Sequence, residues 1–265
     1  MPKLASRPSS RKRATRNDLD GRAAARSTAA VHRRVKGSEE SGIGPATYEA
    51  IRHDVVTLAL TPGEKVSEVD LGRRYNVGKA PVRMALARLA QEGLVINRLR
   101  SGHIVAPITL QNITEIYQLR RTLESAAASL AAGRTSDALS AAYERTRKAD
   151  FDGKSAELVF KFLTANRDFI VEMAKCTGNQ LMVQWVSHLE DLAMRILFLG
   201  ARTQQSAAEW RFEYQAIYEA LTRNEADTAR RLVSEAVDHS EQIVLRALMQ
   251  DPDLRSVNLG SSAAG

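Results

Sequence analysis

The sequence has little cysteine and few aromatic residues, and it has no long hydrophobic run. Cys176 is the single cysteine in 265 residues, so no internal disulfide is possible, which fits a reducing cytoplasm. Because no stretch approaches the ~18 apolar residues of a membrane span, we expect no membrane partner. The N-terminus has no apolar core of a secretory signal. Aromatics make up only 5%, and the Ala- and Leu-rich second half favours helices.

Charge is unevenly distributed along the chain. Residues 1–44 contain 11 Lys/Arg against four Asp/Glu, which equals the net charge of +7 of the whole chain. Residues 45–106 carry +3 and residues 107–265 carry −3. A basic front half suits a polyanion such as nucleic acid. From charge alone, a basic arm that only aids solubility is an equal alternative.

Periodicity and turn signals in the first half predict a winged helix-turn-helix. Apolar spacing predicts helices near 45–60, 67–75 and 79–91. Two β-rich runs, 94–96 and 104–105, flank a turn-prone segment and predict a hairpin. Three short helices followed by a hairpin form this layout.

The second half predicts an antiparallel all-helical bundle, so the fold class is mostly α. Helical patterns with short links lie near residues 109–133, 136–150, 154–177, 179–202, 205–223 and 225–250. We therefore expect a disordered basic arm at 1–44, a DNA-binding domain at 45–106, a helical domain at 107–250 and a flexible tail at 251–265. The arm is expected to be solvated, with phosphate contact as its alternative role.

Lys79 and Arg83 are the first candidate DNA contacts. They are four residues apart at the start of the third predicted helix, so they share a face. The first turns of such a helix contact base edges in a major groove. A solvated helix face has the same spacing, and the pattern favours DNA only together with the preceding helix and the hairpin.

Two separate segments resemble the GntR family of transcription regulators, and its FadR subgroup in particular. The first is LGRRYNVGKAPVRMALARL at 71–89, with Glu92-Gly93-Leu94-Val95 and Gly102 after it. The second is IYQLRRTLE at 116–124, which resembles the opening helix of the FCD effector domain. The resemblance implies a homodimer that binds a near-palindromic double-stranded DNA operator in the cytoplasm, at the nucleoid.

By position, the resemblance assigns DNA contacts to both parts of the first domain. The helical contacts are Arg73, Lys79, Ala80, Pro81 and Arg83, and those of the wing are Arg100, Gly102 and His103. Arginine binds guanine O6 and N7 with two hydrogen bonds. Three positions depart from the family pattern: Lys79 replaces Arg, Ala80 replaces a hydroxyl residue, and Ser101 stands where a second basic residue is common.

Many members of the subgroup bind a divalent metal through one Asp and three His. The matching positions here are Asn166, Ile170, Tyr214 and Ala236, of which two are hydrocarbon. We therefore expect neither a metal nor another cofactor. The five histidines show no paired metal-ligand spacing, and no catalytic motif is present, so we expect no enzyme activity.

Recognition of an effector would then depend on organic groups in the bundle. The candidates are Arg120, Asn166 and Tyr214, with Arg195 as a weaker one. Arg120 suits a ligand carboxylate, although a bond to Glu124 one turn away is an equal alternative. An organic acid is the expected ligand, and an acyl thioester is the alternative.

These observations predict a regulator, expected to be a repressor, whose operator affinity a small molecule controls. Two rivals remain. A helical enzyme with an accessory DNA-binding domain requires a convergent polar site. A DNA-binding protein without an effector requires a bundle core with no cavity near Asn166 and Tyr214.

Overall fold

The computed structural model describes residues 40–98, 102–202 and 208–250. Most of the predicted arm and all of the predicted tail lie outside these ranges. In the described part, no helix is long and apolar enough to cross a membrane.

The first three helices lie close to their predicted positions. They are α1 (Glu40–Val56), α2 (Glu68–Tyr75) and α3 (Lys79–Gln91). Helix α1 begins five residues before Pro45, so residues 40–44 belong to it rather than to the arm. Ser67 caps α2 by accepting a 3.1 Å hydrogen bond from the Asp70 N–H, as its sequence pattern predicts.

A small antiparallel sheet completes the N-terminal unit. Its strands are β1 (Lys65–Val66), β2 (Val95–Arg98) and β3 (Gly102–Val105), in the order β1-β3-β2. The hairpin of β2 and β3 was predicted, and β1 was not. A two-residue strand is too short for alternation to reveal it.

One apolar core joins the helices of this unit. Ile51 and Val55 of α1 are at most 1% exposed, as are Val82, Leu86 and Leu89 of α3. The three α3 residues recur at helical spacing, so that helix has one face on α1 and the opposite face in solvent.

Within residues 102–202 and 208–250, six helices form the C-terminal bundle, as predicted. They are α4 (Leu110–Ala131), α5 (Asp137–Lys148), α6 (Ala156–Cys176), α7 (Gln180–Ala201), α8 (Ala208–Thr222) and α9 (Ala226–Gln250). Helix α9 packs along α4, and α6 packs along α7. Each observed bound lies within three residues of its prediction, and the fold class is confirmed.

Polar side chains join the two units. Asp191 of α7 accepts hydrogen bonds from Arg52 of α1 at 2.6 Å and from Arg167 of α6 at 2.7 Å. Arg195 of α7 donates to the backbone carbonyls of Ala106 and Pro107, in the segment between β3 and α4. The bundle therefore holds both the first helix of the N-terminal unit and the linker.

Asp54 of α1 links this helix to α2 through hydrogen bonds inside the N-terminal unit. Its buried carboxylate accepts hydrogen bonds of 2.7 Å from both the Tyr75 hydroxyl and the Arg74 guanidinium. Burial raises the pKa of Asp54, but hydrogen bonds from His53 and Tyr75 and the charge of Arg74 outweigh it, so the pKa lies below its ordinary value.

We predict that Asp54→Asn lowers the free energy of unfolding by about 2 kcal/mol at neutral pH, because an amide binds Arg74 less strongly. Tyr75→Phe, which removes one hydroxyl, should cost about 1 kcal/mol. Because the pKa of Asp54 is lower in the folded protein than its unfolded value of 3.8, the ionised carboxylate stabilises the fold above that pH. The difference in unfolding free energy between wild type and Asp54→Asn should therefore shrink as the pH falls below 3.8. Urea unfolding measures both effects, and equal stabilities of wild type and Asp54→Asn at neutral pH would contradict the assignment.

Candidate nucleic-acid interface and effector cavities

The outer face of α3 presents the predicted helical DNA contacts. Lys79, Ala80 and Arg83 are exposed, and Pro81 is half-buried. The Arg83 side chain is 68% exposed although Val82, its neighbour, is fully buried. The shared outward face of Lys79 and Arg83 therefore follows from the packing of the opposite face on α1.

Glu68 of α2 holds the Arg83 side chain in place. The Arg83 Nε donates to Glu68 Oε1 at 2.7 Å, and its Nη2 donates to Oε2 at 2.9 Å. This pairing uses one edge of the guanidinium and leaves Nη1 and one N–H of Nη2 for another acceptor. The sequence does not predict this contact, because 15 residues separate the two side chains and no local spacing indicates it.

Further cations lie on the same unit. Arg73 of α2 is 77% exposed and lies 3.4 Å from Asp70. In the wing, Gly102 has a φ of 79°, which favours glycine, and His103 is half-buried. Arg98 on β2 is a further exposed cation, at a position that was not predicted to contact DNA. Arg100 and Ser101 lie outside the described residues.

A small cavity in the bundle core brings together three of the predicted effector residues. Arg120, Asn166 and Tyr214 line it, and so do Ile170 and Ala236. Its volume is about 20 Å³. That is room for about one water molecule, so a larger ligand requires the side chains to move.

Two glutamates of the chain already occupy the Arg120 guanidinium. Arg120 Nε lies 2.8 Å from Glu124, and Nη2 lies 2.8 Å from Glu190. The sequence alternative of an Arg120–Glu124 bond is therefore what the structure contains, and Glu190 was not anticipated. Burial and then the Glu190 charge raise the pKa of Glu124, although Arg120 opposes them.

Asn166 has unused hydrogen-bonding capacity in this cavity, as do Arg120 at Nη1 and Glu124 at Oε2. It is 3% exposed, and neither its amide oxygen nor its amide nitrogen has a hydrogen-bond partner among the described residues. The neighbouring Tyr214 ring packs edge-to-face on Phe169, with 5.4 Å between centroids. A buried amide without partners is a position that a ligand or a bound water can satisfy.

The four positions of the family's metal set meet at this cavity. Ile170 and Ala236 contribute only hydrocarbon there, and Asn166 and Tyr214 are weak ligands. His239 hydrogen-bonds Glu213 at the edge of the cavity. Across the described ranges, no group of three His, Cys, Asp or Glu residues has a metal-binding arrangement. The side chains at these four positions do not suit a metal ion, and the prediction that no metal binds here rests on their chemistry.

Arg195 lies apart from the other predicted effector residues. It lines a different cavity, at the junction of the two units, and its guanidinium donates to the linker carbonyls of Ala106 and Pro107. The sequence predicted Arg195 in one pocket with Arg120, Asn166 and Tyr214, whereas the structure places Arg195 in a different cavity from those three residues. Arg195 lies almost three helical turns after Trp185, in the C-terminal half of α7, where its side chain meets the linker.

Two family models match the chain. Residues 45–105 match the model described as "Bacterial regulatory proteins, gntR family", and residues 115–239 match the FCD domain. Both matches lie within the described residues except at 99–101 and 203–207.

Two similar proteins are also described as HTH-type transcriptional regulators. An HTH-type transcriptional regulator of Agrobacterium vitis is 36% identical over 110 residues, which is 41% of this chain and 64% of that protein. The chain thus spans just under two thirds of that relative. The HTH-type transcriptional repressor RspR of Escherichia coli is 22% identical over 78% of this chain and 90% of its own length.

The structure of McbR/YncC from E. coli has a similar fold. Its TM-score is 0.63 at 19% identity, and the match covers 77% of this chain and 97% of that one. At this identity the likeness is evidence of the fold alone.

The buried charges around Arg120 lead to a prediction about pH. A raised pKa lets folded Glu124 retain a proton that the unfolded chain releases above its pKa of 4.5. The free energy of unfolding should therefore fall as the pH rises from that value toward the folded pKa.

Glu124→Gln should remove this dependence, because glutamine mimics the protonated acid. Urea unfolding of wild type and variant between about pH 5 and about pH 9 measures the difference. Glu144→Gln, at an exposed position beside Arg147, serves as the control and should not gain stability relative to wild type at high pH. Parallel curves for wild type and Glu124→Gln would contradict the prediction.

Proposed function

Because the chain belongs to the GntR family of transcription regulators and carries an FCD domain, we propose that it is a repressor whose operator affinity a small-molecule effector controls. The family and the relatives are transcription regulators, not enzymes. RspR is described as a repressor, which supports the same direction of control here. Such a regulator acts at the nucleoid.

The observation that carries the DNA-binding proposal is the exposed pair Lys79 and Arg83 at the start of α3. In the major groove, the free end of the Arg83 guanidinium fits guanine O6 and N7 while its other edge stays on Glu68. Lys79 supplies a positive charge one turn earlier. Glu68 is thus a positioning residue, which fixes the direction of Arg83 before DNA arrives.

The remaining predicted residues suit contact with the DNA backbone. Arg73 is exposed on α2 and can neutralise a phosphate. Ala80 and Pro81 have no side-chain donor, but they allow close approach at the helix start. The wing residues Gly102 and His103 are proposed to lie along the adjacent groove, and Arg100 is proposed from the sequence alone.

A homodimer follows from the operator geometry that we propose. Two copies of α3 reach successive major grooves only if their separation matches about one helical turn of DNA. A change in the angle between DNA-binding unit and bundle then changes operator affinity.

The junction of the two units offers a route for that change. Asn166 lies next to Arg167 in α6, and Glu190 lies next to Asp191 in α7. A ligand that displaces α6 relative to α7 in the bundle core therefore alters the contacts of Asp191 with Arg167 of α6 and with Arg52 of α1.

We propose an organic acid as the effector, although not through Arg120. Glu124 and Glu190 each already lie 2.8 Å from Arg120, and the charge of Glu190 opposes a ligand carboxylate in the core cavity. Arg195, by contrast, has no carboxylate within ion-pair distance in the described part of the chain. Asn166 and Tyr214 remain candidates for a small polar ligand.

A DNA-binding protein without an effector is the second candidate. The observation in its favour is the size of the core cavity, about 20 Å³, which leaves little room for a ligand.

We predict that Arg83→Ala weakens binding to the cognate operator by about 1–3 kcal/mol and relaxes the preference at one base pair in each half-site. Arg73→Ala should weaken binding to all sequences alike and reduce the salt slope by about one. Fluorescence anisotropy with labelled duplexes at several salt concentrations separates these effects.

Arg147→Ala is the matched control, because exposed Arg147 also pairs side-on with a glutamate but lies in the bundle. It should leave affinity and salt slope unchanged. A folded Arg83→Ala protein with wild-type discrimination between operator and scrambled DNA would refute the proposed role of α3.

A further inference from the structure

A second and much larger cavity lies where the bundle meets the DNA-binding unit. Its volume is about 670 Å³, within the range of roughly 300–1,000 Å³ that is usual for small-molecule sites. Its walls are mainly apolar side chains of α4 and α7, with one from β2. The main ones are Leu119, Leu123, Trp185, Leu189, Leu192 and Ile96.

Arg195 supplies a buried positive charge to this cavity. The residue is 4% exposed, and its Nε has no hydrogen-bond partner among the described residues. Its other nitrogens donate to the neutral carbonyls of Ala106 and Pro107. Burial alone lowers the pKa of Arg195 to about 10. A buried cation without a counter-charge is costly, so an anion beside it would be stabilising.

We propose that this junction cavity binds an organic monocarboxylate with an apolar body. The carboxylate would pair with the Arg195 guanidinium, and the apolar body would cover Leu119 and Trp185, which are 52% and 59% exposed. Glu115 near the cavity disfavours a second negative charge on the ligand. The inference rests on the proposed function, since it names the effector class and its place.

The position of the cavity explains how such a ligand would act on DNA binding. Ala106 and Pro107 belong to the linker between β3 and α4, and Gly93 and Ile96 belong to the DNA-binding unit. A carboxylate that accepts a hydrogen bond from the free Nε of Arg195 would draw the guanidinium toward it and away from the two linker carbonyls. Ligand binding would therefore loosen the linker and change the angle of the DNA-binding unit.

The test is isothermal titration of the full-length chain with octanoate and 3-phenylpropanoate, compared with octylamine and 1-octanol. We expect both acids to bind at least tenfold more tightly than the amine and the alcohol. Arg195→Gln should weaken binding of the acids at least tenfold, because the amide carries no charge.

Two further variants keep the test decisive if Arg195→Gln does not fold. Leu119→Glu places a negative charge in the cavity wall at an exposed position and should also weaken octanoate binding at least tenfold. Leu130→Glu is its matched control, since Leu130 is 49% exposed on the same helix but does not line the cavity. Asn166→Ala should leave octanoate binding unchanged, because Asn166 belongs to the core cavity.

Several outcomes would overturn the inference. They are no binding of either acid to folded wild type, equal binding of octanol, or binding that Asn166→Ala abolishes and Leu119→Glu does not affect. Light scattering in which wild type is a dimer and Leu119→Glu a monomer would show that a second copy covers this face.

Operator binding is measured on the same preparations. If the protein binds the operator but neither acid, this inference alone is wrong. If the protein does not bind the operator, the proposed function is wrong.

Discussion

The packing of α3 on α1 is the constraint on which the DNA-binding proposal depends. Val82, Leu86 and Leu89 are fully buried against α1, so the helix cannot rotate without exposing them to water. Each such side chain contributes roughly 1.5–3 kcal/mol on burial, which far exceeds any gain from a surface ion pair. Lys79 and Arg83 are therefore held on the outside by the apolar residues of the opposite helix face.

The second constraint is the polar junction between the two units. Asp191 ties α1 to α6 and α7 through Arg52 and Arg167, and Arg195 holds the linker carbonyls. Hydrogen bonds of this kind exchange partners more readily than a packed apolar core does. A junction of polar contacts therefore suits a protein in which ligand binding changes the relative orientation of the two units.

Local patterns predicted the helices, because their signals lie within a few residues of each other. The bounds of α3 match the prediction, and the Ser67 cap of α2 was readable from its spacing to Asp70. That Arg120, Asn166 and Tyr214 line one cavity was predicted from the resemblance to the FCD domain, not from local patterns. Contacts between distant residues left no such signal: Glu68 on Arg83, Glu190 on Arg120, and Arg195 on the linker depend on how helices pack in three dimensions.

Guanine methylation interference tests the central claim most directly, since N7 of guanine faces the major groove. The probe is a duplex that the full-length chain selects from a randomised pool. Methylation of one guanine in each half-site should block binding of wild type, and the same modification should no longer matter to Arg83→Ala, which has lost the contact. Binding that no methylated guanine affects, or an identical interference pattern for wild type and Arg83→Ala, would contradict the placement of Arg83 in the major groove.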